Sequence, residues 1–132
     1  MKNIMREVGW FVAVGCMAAA THWLVAVTCV RFAALAPLLA NVLGWLVAFV
    51  VSFSGHYHLT FARQSQPLRI ALRRFFMVSA AGFAVNELSY ALLLQATAIR
   101  YDILLALILV AIAVLTFVFS RLWAFRHKPA AT

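Results

Sequence analysis

Four apolar stretches, each about as long as a bilayer is thick, leave this chain little choice of fold. Between Arg6 and Arg31 the one charged residue is Glu7, at the edge. Comparable stretches run over 32–57, over 75–99 with Glu87 as the one interruption, and over 103–120. A helix needs about 20 apolar residues to cross ~30 Å of hydrocarbon, so spans are predicted at roughly 8–30, 35–57, 75–98 and 103–123. Composition agrees, with 67% hydrophobic and 11% charged residues and a mean hydropathy of +1.01. Soluble domains are only about half apolar. The expected fold is an all-α membrane protein, a single four-helix membrane domain over residues 1–132.

The N-terminus invites comparison with a secretory signal, because Lys2 and Arg6 precede an apolar run and Val14-Gly15-Cys16 faintly resembles a lipoprotein cleavage site. The run argues against it. It continues past Cys16 for more than a dozen apolar residues, whereas a signal core has only ~7 to 15 and gives way to something polar. Cys16 and Cys29 lie too far apart along one predicted helix to pair. Neither these nor the histidines have metal-ligand spacing, so no metal and no cofactor are expected.

Short loops rich in Lys and Arg stay in the cytoplasm. Lys2 and Arg6 precede the first span, Arg63, Arg69, Arg73 and Arg74 separate the second from the third, and Arg121, Arg126 and Lys128 follow the fourth. Arg31 and Arg100 alone fall in the other two turns. Both termini are therefore expected in the cytoplasm, and the net charge of +8 is a one-sided field facing anionic headgroups. No soluble domain is predicted that would present this charge to nucleic acid, so none is expected as a partner.

Offset against itself by 64 residues, the chain nearly repeats. The segment 52–61 lies over 116–125, Phe11 over Phe75, Val14 over Val78, and His22 over Asn86. With an even number of spans per repeat, the four helices are expected as two parallel two-helix repeats. The loop at 62–74 is basic, and Pro67 followed by Leu68, Ala71 and Leu72 on one helical side predicts a short amphipathic helix on the inner membrane surface. The same basic residues also serve simply to fix topology. Small-residue rows at Gly44, Ala48 and Ser52, at Gly15 and Ala19, and at Ala80 and Ala84 suit close helix packing, either within the chain or in a homodimer.

Glu87 is the most informative single position. It lies about halfway between Arg74 and Arg100, near the predicted bilayer centre, where a charge costs roughly 2.5 to 3.5 kcal/mol. Asn86 is adjacent, and His22 is its counterpart at similar depth in the first span, so the three are candidates for one polar patch lining a substrate path. Neighbours on a helix point about 100° apart, which argues against Asn86 and Glu87 facing one groove equally. Asn41, nearer the outer end of the second span, reads as a residue that pins a helix contact. At the cytoplasmic ends stand Ser54, His56, Ser120, Arg121 and Trp123, with Arg73 and Arg74 close by, a set of donors, cations and aromatics suited to a phosphate or headgroup. Catalysis is not expected, since Glu7, Glu87 and Asp102 are the only acids and no nucleophile has a base beside it.

Four motifs covering nearly the whole chain resemble the GtrA-like family of small four-span membrane proteins, which is similar also to the third subunit of dolichyl-phosphate mannose synthase. They are Phe11-x-x-Val14-Gly15; Ser52-Phe53-x-Gly55-His56-x-x-x-Thr60-Phe61; Arg74-Phe75-x-x-Val78-Ser79-x-x-Gly82-x-x-x-Asn86; and Phe119-Ser120-Arg121-Leu122-Trp123-x-Phe125. Tyr57 and His58 depart from the basic pair that the family pattern leads one to expect after His56. The resemblance implies a bacterial inner-membrane protein of cell-surface polysaccharide or glycolipid synthesis that flips a polyprenyl-phosphate-linked sugar between leaflets. Likeness to a synthase subunit implies an alternative, a non-transporting partner of a membrane glycosyltransferase. Proton-coupled export of small cations through Glu87 is a third reading. It ranks last because the acidic residue is in the third span and parallel halves fit such exporters poorly.

Overall fold

The computed structural model describes residues 1–60 and 66–124, with side chains placed through 116 outside the gap. Helix α1 spans Lys2–Ala33 and α2 spans Pro37–Gly55, continued by a π-helical turn, His56–Thr60; α3 spans Leu68–Ala96 and α4 Tyr101–Ala124. Three of these helices are long and apolar enough to cross a membrane, and the described side chains of α4 add a shorter apolar helix. Large apolar side chains point outward all round, including Val78 at 75% and Leu92 at 60% exposure. A face of that kind is stable in hydrocarbon, where nothing drives it inward, and is an aggregation hazard in water. The protein is a membrane protein.

Helix ends follow local sequence. Ala34 closes α1 in the left-handed conformation at φ 53°, its N–H donating to the Cys29 carbonyl, and the Leu35 N–H reaches the same carbonyl at 3.2 Å, which caps the helix end. Pro37 then occupies the first turn of α2, where its fixed φ suits a helix and its missing N–H is not needed. Pro67 precedes α3 in the same way, its carbonyl accepting from Ile70 and Ala71 at 3.0 and 3.1 Å. Residues 68–74 are thus the first two turns of α3, continuous with the long helix to Ala96. The predicted separate surface helix does not form, because nothing between Leu68 and Ala96 breaks the hydrogen-bond ladder. The third helix accordingly begins seven residues before the predicted span at 75.

Leu35 and Tyr101, beside the two short turns, pack against one buried cluster of Ala26, Ala40, Tyr90, Leu104, Leu105 and Ile108. Both short turns therefore lie at the same end of the bundle. Trp23 Nε1–H donates to the Asp102 carbonyl at 2.9 Å, and the Tyr90 hydroxyl to the Tyr101 carbonyl at 3.1 Å, so the polar edges of aromatic side chains from α1 and α3 find partners on the first turn of α4. Arg100 pairs with Asp102 at 2.6 Å in the turn itself.

Helices α1 and α2 approach at backbone distance. A Cβ on Gly44 would stand 2.6 Å from the His22 carbonyl oxygen, and one on Gly55 would stand 2.7 Å from Val14 Cγ1. Helices α2 and α3 are instead held apart by rings, from Trp45 stacked on Phe83 at 4.6 Å and 9° to Phe53 beside Phe75 at 5.7 Å. These two kinds of packing position everything that follows.

Candidate functional site: a polar network at the head of an aromatic seam

Asn41 is the hub of the buried polar residues. It is 0% exposed. Its Nδ2 donates to Asn86 Oδ1 at 2.7 Å and to Glu87 Oε2 at 2.8 Å, while its Oδ1 lies 2.7 Å from His22 Nε2. A carboxamide nitrogen carries two hydrogens, and both are used. The remaining atom is a carbonyl oxygen that can only accept, so His22 carries a hydrogen on Nε2 and donates it. Side chains of three helices, α1, α2 and α3, are tied in one cluster, with His22 and Asn86 buried and Glu87 half-buried. Asn86 lies about 15 Å along α3 from its Ala96 end, half the thickness of a hydrocarbon core.

The structure thus brings His22, Asn86 and Glu87 together, and shows what their spacing left open. Asn86 and Glu87 do diverge around α3, yet a single amide nitrogen placed between them reaches both. Asn41, expected only to pin a contact, is the residue on which the cluster depends. A signal was present in the sequence: Asn41, Trp45, Phe49, Phe53 and Tyr57 recur every fourth residue, and therefore form one row on α2. On α3, Phe75, Ser79, Phe83 and Asn86 form the facing row.

Between those rows runs a continuous series of ring contacts. Tyr57 stacks on Phe53 at 5.6 Å, Phe53 on Phe49 at 6.2 Å, Phe49 meets Phe76 edge-on at 5.5 Å, and Trp45 lies 5.8 Å from Phe76. Phe83, beneath Trp45, is 6.3 Å from the His22 ring. Trp45 Nε1–H donates to Ser79 Oγ at 2.9 Å, a further polar link between α2 and α3. Most of these rings are only half-buried, so the seam is open along its side.

At the far end of the seam, two cavities flank the Arg74 side chain. One, of about 260 Å³, is lined by Phe53, His56, Tyr57, Gln66, Arg74 and Phe75. The other, of about 950 Å³, is lined by Arg69, Arg73, Arg74, Phe49, Phe76 and Met77. Among the described residues, Arg69, Arg73 and Arg74 form no ion pair, so a cluster of guanidinium groups faces partly apolar hollows without a carboxylate of its own. His56 is buried in the π-helical turn, 3.0 Å from the Thr60 hydroxyl and 5.0 Å from the Phe11 ring. Such turns are frequent at functional sites. Of the other predicted headgroup residues, Ser54 is exposed. Ser120, Arg121 and Trp123 lie on the last turns of α4, with side chains outside the described residues, as are Arg63, Arg126 and Lys128. No group of three metal-ligating side chains occurs among the described residues.

The arrangement offers an anion a cluster of arginines at one end, a polar cluster inside the bundle, and aromatic faces between them. A family model described as the GtrA/DPMS transmembrane domain matches residues 10–125. No curated protein matches the chain, and neither does any solved structure.

Proposed function

The chain belongs to the GtrA/DPMS transmembrane-domain family, and on that premise we propose that it moves a polyprenyl-phosphate-linked sugar from the inner to the outer leaflet of the bacterial inner membrane, serving synthesis of a surface polysaccharide or glycolipid. The positive-inside bias puts the arginine-lined cavities on the cytoplasmic face. There Arg73 and Arg74, with His56 nearby, capture the lipid phosphate through charge-assisted hydrogen bonds. The basic end of α4, with Ser120, Arg121 and Trp123, joins them in this reading, and exposed Ser54 lies at the margin. His22, Asn86 and Glu87, gathered by Asn41, replace water for the sugar hydroxyls during passage.

The observation that carries this reading is the polar cluster itself. Polar groups at that depth are expensive and mark substrate paths by default, and here a carboxylate is half-buried at the open side of the seam. Leaflet exchange of a polyprenyl-phosphate-hexose in liposomes holding only the purified chain is the test. Glu87→Gln keeps an oxygen that accepts from Asn41 and removes the ionisable group, so the protein stays folded while exchange falls at least about tenfold, the equivalent of ~1.4 kcal/mol at the barrier. Unchanged exchange removes Glu87 from the path.

The family's pairing with the synthase supports a second reading, an accessory subunit that anchors a polyprenyl-phosphate glycosyltransferase. Under it, well-folded protein gives no exchange, Glu87→Gln is silent, and a glycosyltransferase co-purifies. A homodimer is compatible with both readings. Export of small cations gains nothing from the geometry, because Glu87 is held by Asn41 beside two further amide and imidazole groups.

A further inference from the structure

Polyprenyl phosphates with and without a sugar share the same apolar chain and both present phosphate oxygens to arginine, as a diester and a monoester respectively, so a translocator selective for the glycosylated form gains from a place that reads the sugar ring. Beside the buried polar cluster the seam holds a position with the required chemistry. The Trp45 indole lies parallel to the Phe83 ring, 4.6 Å away. Its Nε1 touches Ser79 Oγ, and Asn41, hub of the buried cluster, is one helical turn away on the same row. A pyranose has a C–H face that packs on an aromatic face and a hydroxyl edge that must be hydrogen-bonded. Farther along the seam the rings of Phe53 and Phe75 lie beside Tyr57 and His56, in the arginine-lined end given to the phosphate, whereas Trp45 stands next to the buried amide and carboxyl groups.

We propose that the Trp45 indole face is the subsite for the sugar ring of the lipid-linked substrate: the ring displaces Phe83 from the stack, with Ser79 and the Asn41 cluster facing its hydroxyl edge. The proposal rests on the translocation reading and adds to it the residue that distinguishes a glycosylated lipid from a bare one. Phe83 is half-buried, and besides Trp45 its ring meets the His22 ring at 6.3 Å, so its rotation exchanges these two ring contacts. Its exchange for a sugar trades one stacking partner for another, which keeps the cost of opening low. The arginine-lined cavities, the larger of which reaches Phe49 one turn from Trp45 and Phe76 at 5.8 Å from its ring, remain responsible for the phosphate.

Binding is measured on the purified full chain in liposomes with two phosphodiester probes of equal charge, a polyprenyl-phosphate-hexose and the methyl ester of the same polyprenyl phosphate, which has no sugar. Wild type binds the glycosylated probe more tightly, and Trp45→Leu loses about three- to tenfold of that preference, the worth of one ring stack, with affinity for the sugar-free probe unchanged. Trp45→Phe keeps most of the preference. Emission provides a second readout that needs no bulky-to-small change. The glycosylated probe shifts the tryptophan spectrum of wild type beyond the shift given by the sugar-free probe, which accounts for any common response of Trp10, Trp23 and Trp123, and this excess is absent in Trp45→Phe. A preference unchanged in Trp45→Leu, or an excess emission shift that survives in Trp45→Phe, overturns the subsite while leaving translocation standing. Equal binding of both probes by wild type also overturns it, and leaflet exchange, scored separately, decides whether translocation falls too.

Discussion

Helix α2 carries two rows of side chains one residue apart, and they build opposite kinds of interface. The row through Gly44 and Ala48 is small and buried, and it lets α1 come so close that its carbonyl oxygen at His22 would lie 2.6 Å from any Cβ on Gly44. The adjacent row through Trp45, Phe49 and Phe53 is large and half-exposed, and it props α3 away on a layer of rings. In lipid, where no hydrophobic force pulls helices together, close backbone approach is what makes a contact strong. The α1–α2 pair is therefore the rigid frame. The α2–α3 seam, held by rings and by the hydrogen bonds at Ser79, Asn86 and Glu87, is the part able to open.

That contrast can be broken most severely at Gly44. Gly44→Val drives a branched side chain into the α1 backbone, with a cost on the order of 3 kcal/mol or more. The expected result is loss of the monodisperse protein in detergent and of its cooperative thermal transition. Gly82→Ala, where nothing lies within 4 Å of the added carbon, leaves the transition in place or raises it slightly. Equal behaviour of the two variants would refute the frame.

Next in size is Asn41→Leu, which strands His22, Asn86 and Glu87 at once. Membrane hydrogen bonds average only ~0.6 kcal/mol each, so three of them put the loss at about 2 kcal/mol, read as a lowered unfolding temperature. Because Asn41 joins the frame to the seam, the same variant should also increase spin-label distances between α2 and α3 while those between α1 and α2 stay put. The smallest effect is expected within the seam itself. Phe49→Leu removes one ring among several and costs about 1 kcal/mol, with stability measured in detergent; a loss as large as that of Gly44→Val would mean the seam is as tightly built as the frame.

Much of this was readable in the chain. Four apolar stretches announced the helices, and Glu87, Asn86 and His22 stood out because a polar residue in such a stretch must have a reason. Pro67 was legible as a helix start, but the helix after it was read as separate from the third span because Arg69, Arg73 and Arg74 interrupt the apolar run, whereas the backbone continues without a break to Ala96. Asn41 was read as pinning a helix contact, which it does, and was left out of the polar patch because depth was counted along each span separately. Its depth relative to α1 and α3 depends on how the helices slide past one another.

Sequence by itself determined the number and approximate length of the helices, their insertion in a membrane and their family, since these depend on local hydropathy, helix-end chemistry and residue pattern. Tertiary structure decided which rows of α2 meet α1 and which meet α3, that one amide gathers three distant polar side chains, and that a tryptophan stands between them and the arginines. Those outcomes depend on helix rotation and axial offset, which arise only when whole surfaces compete to pack.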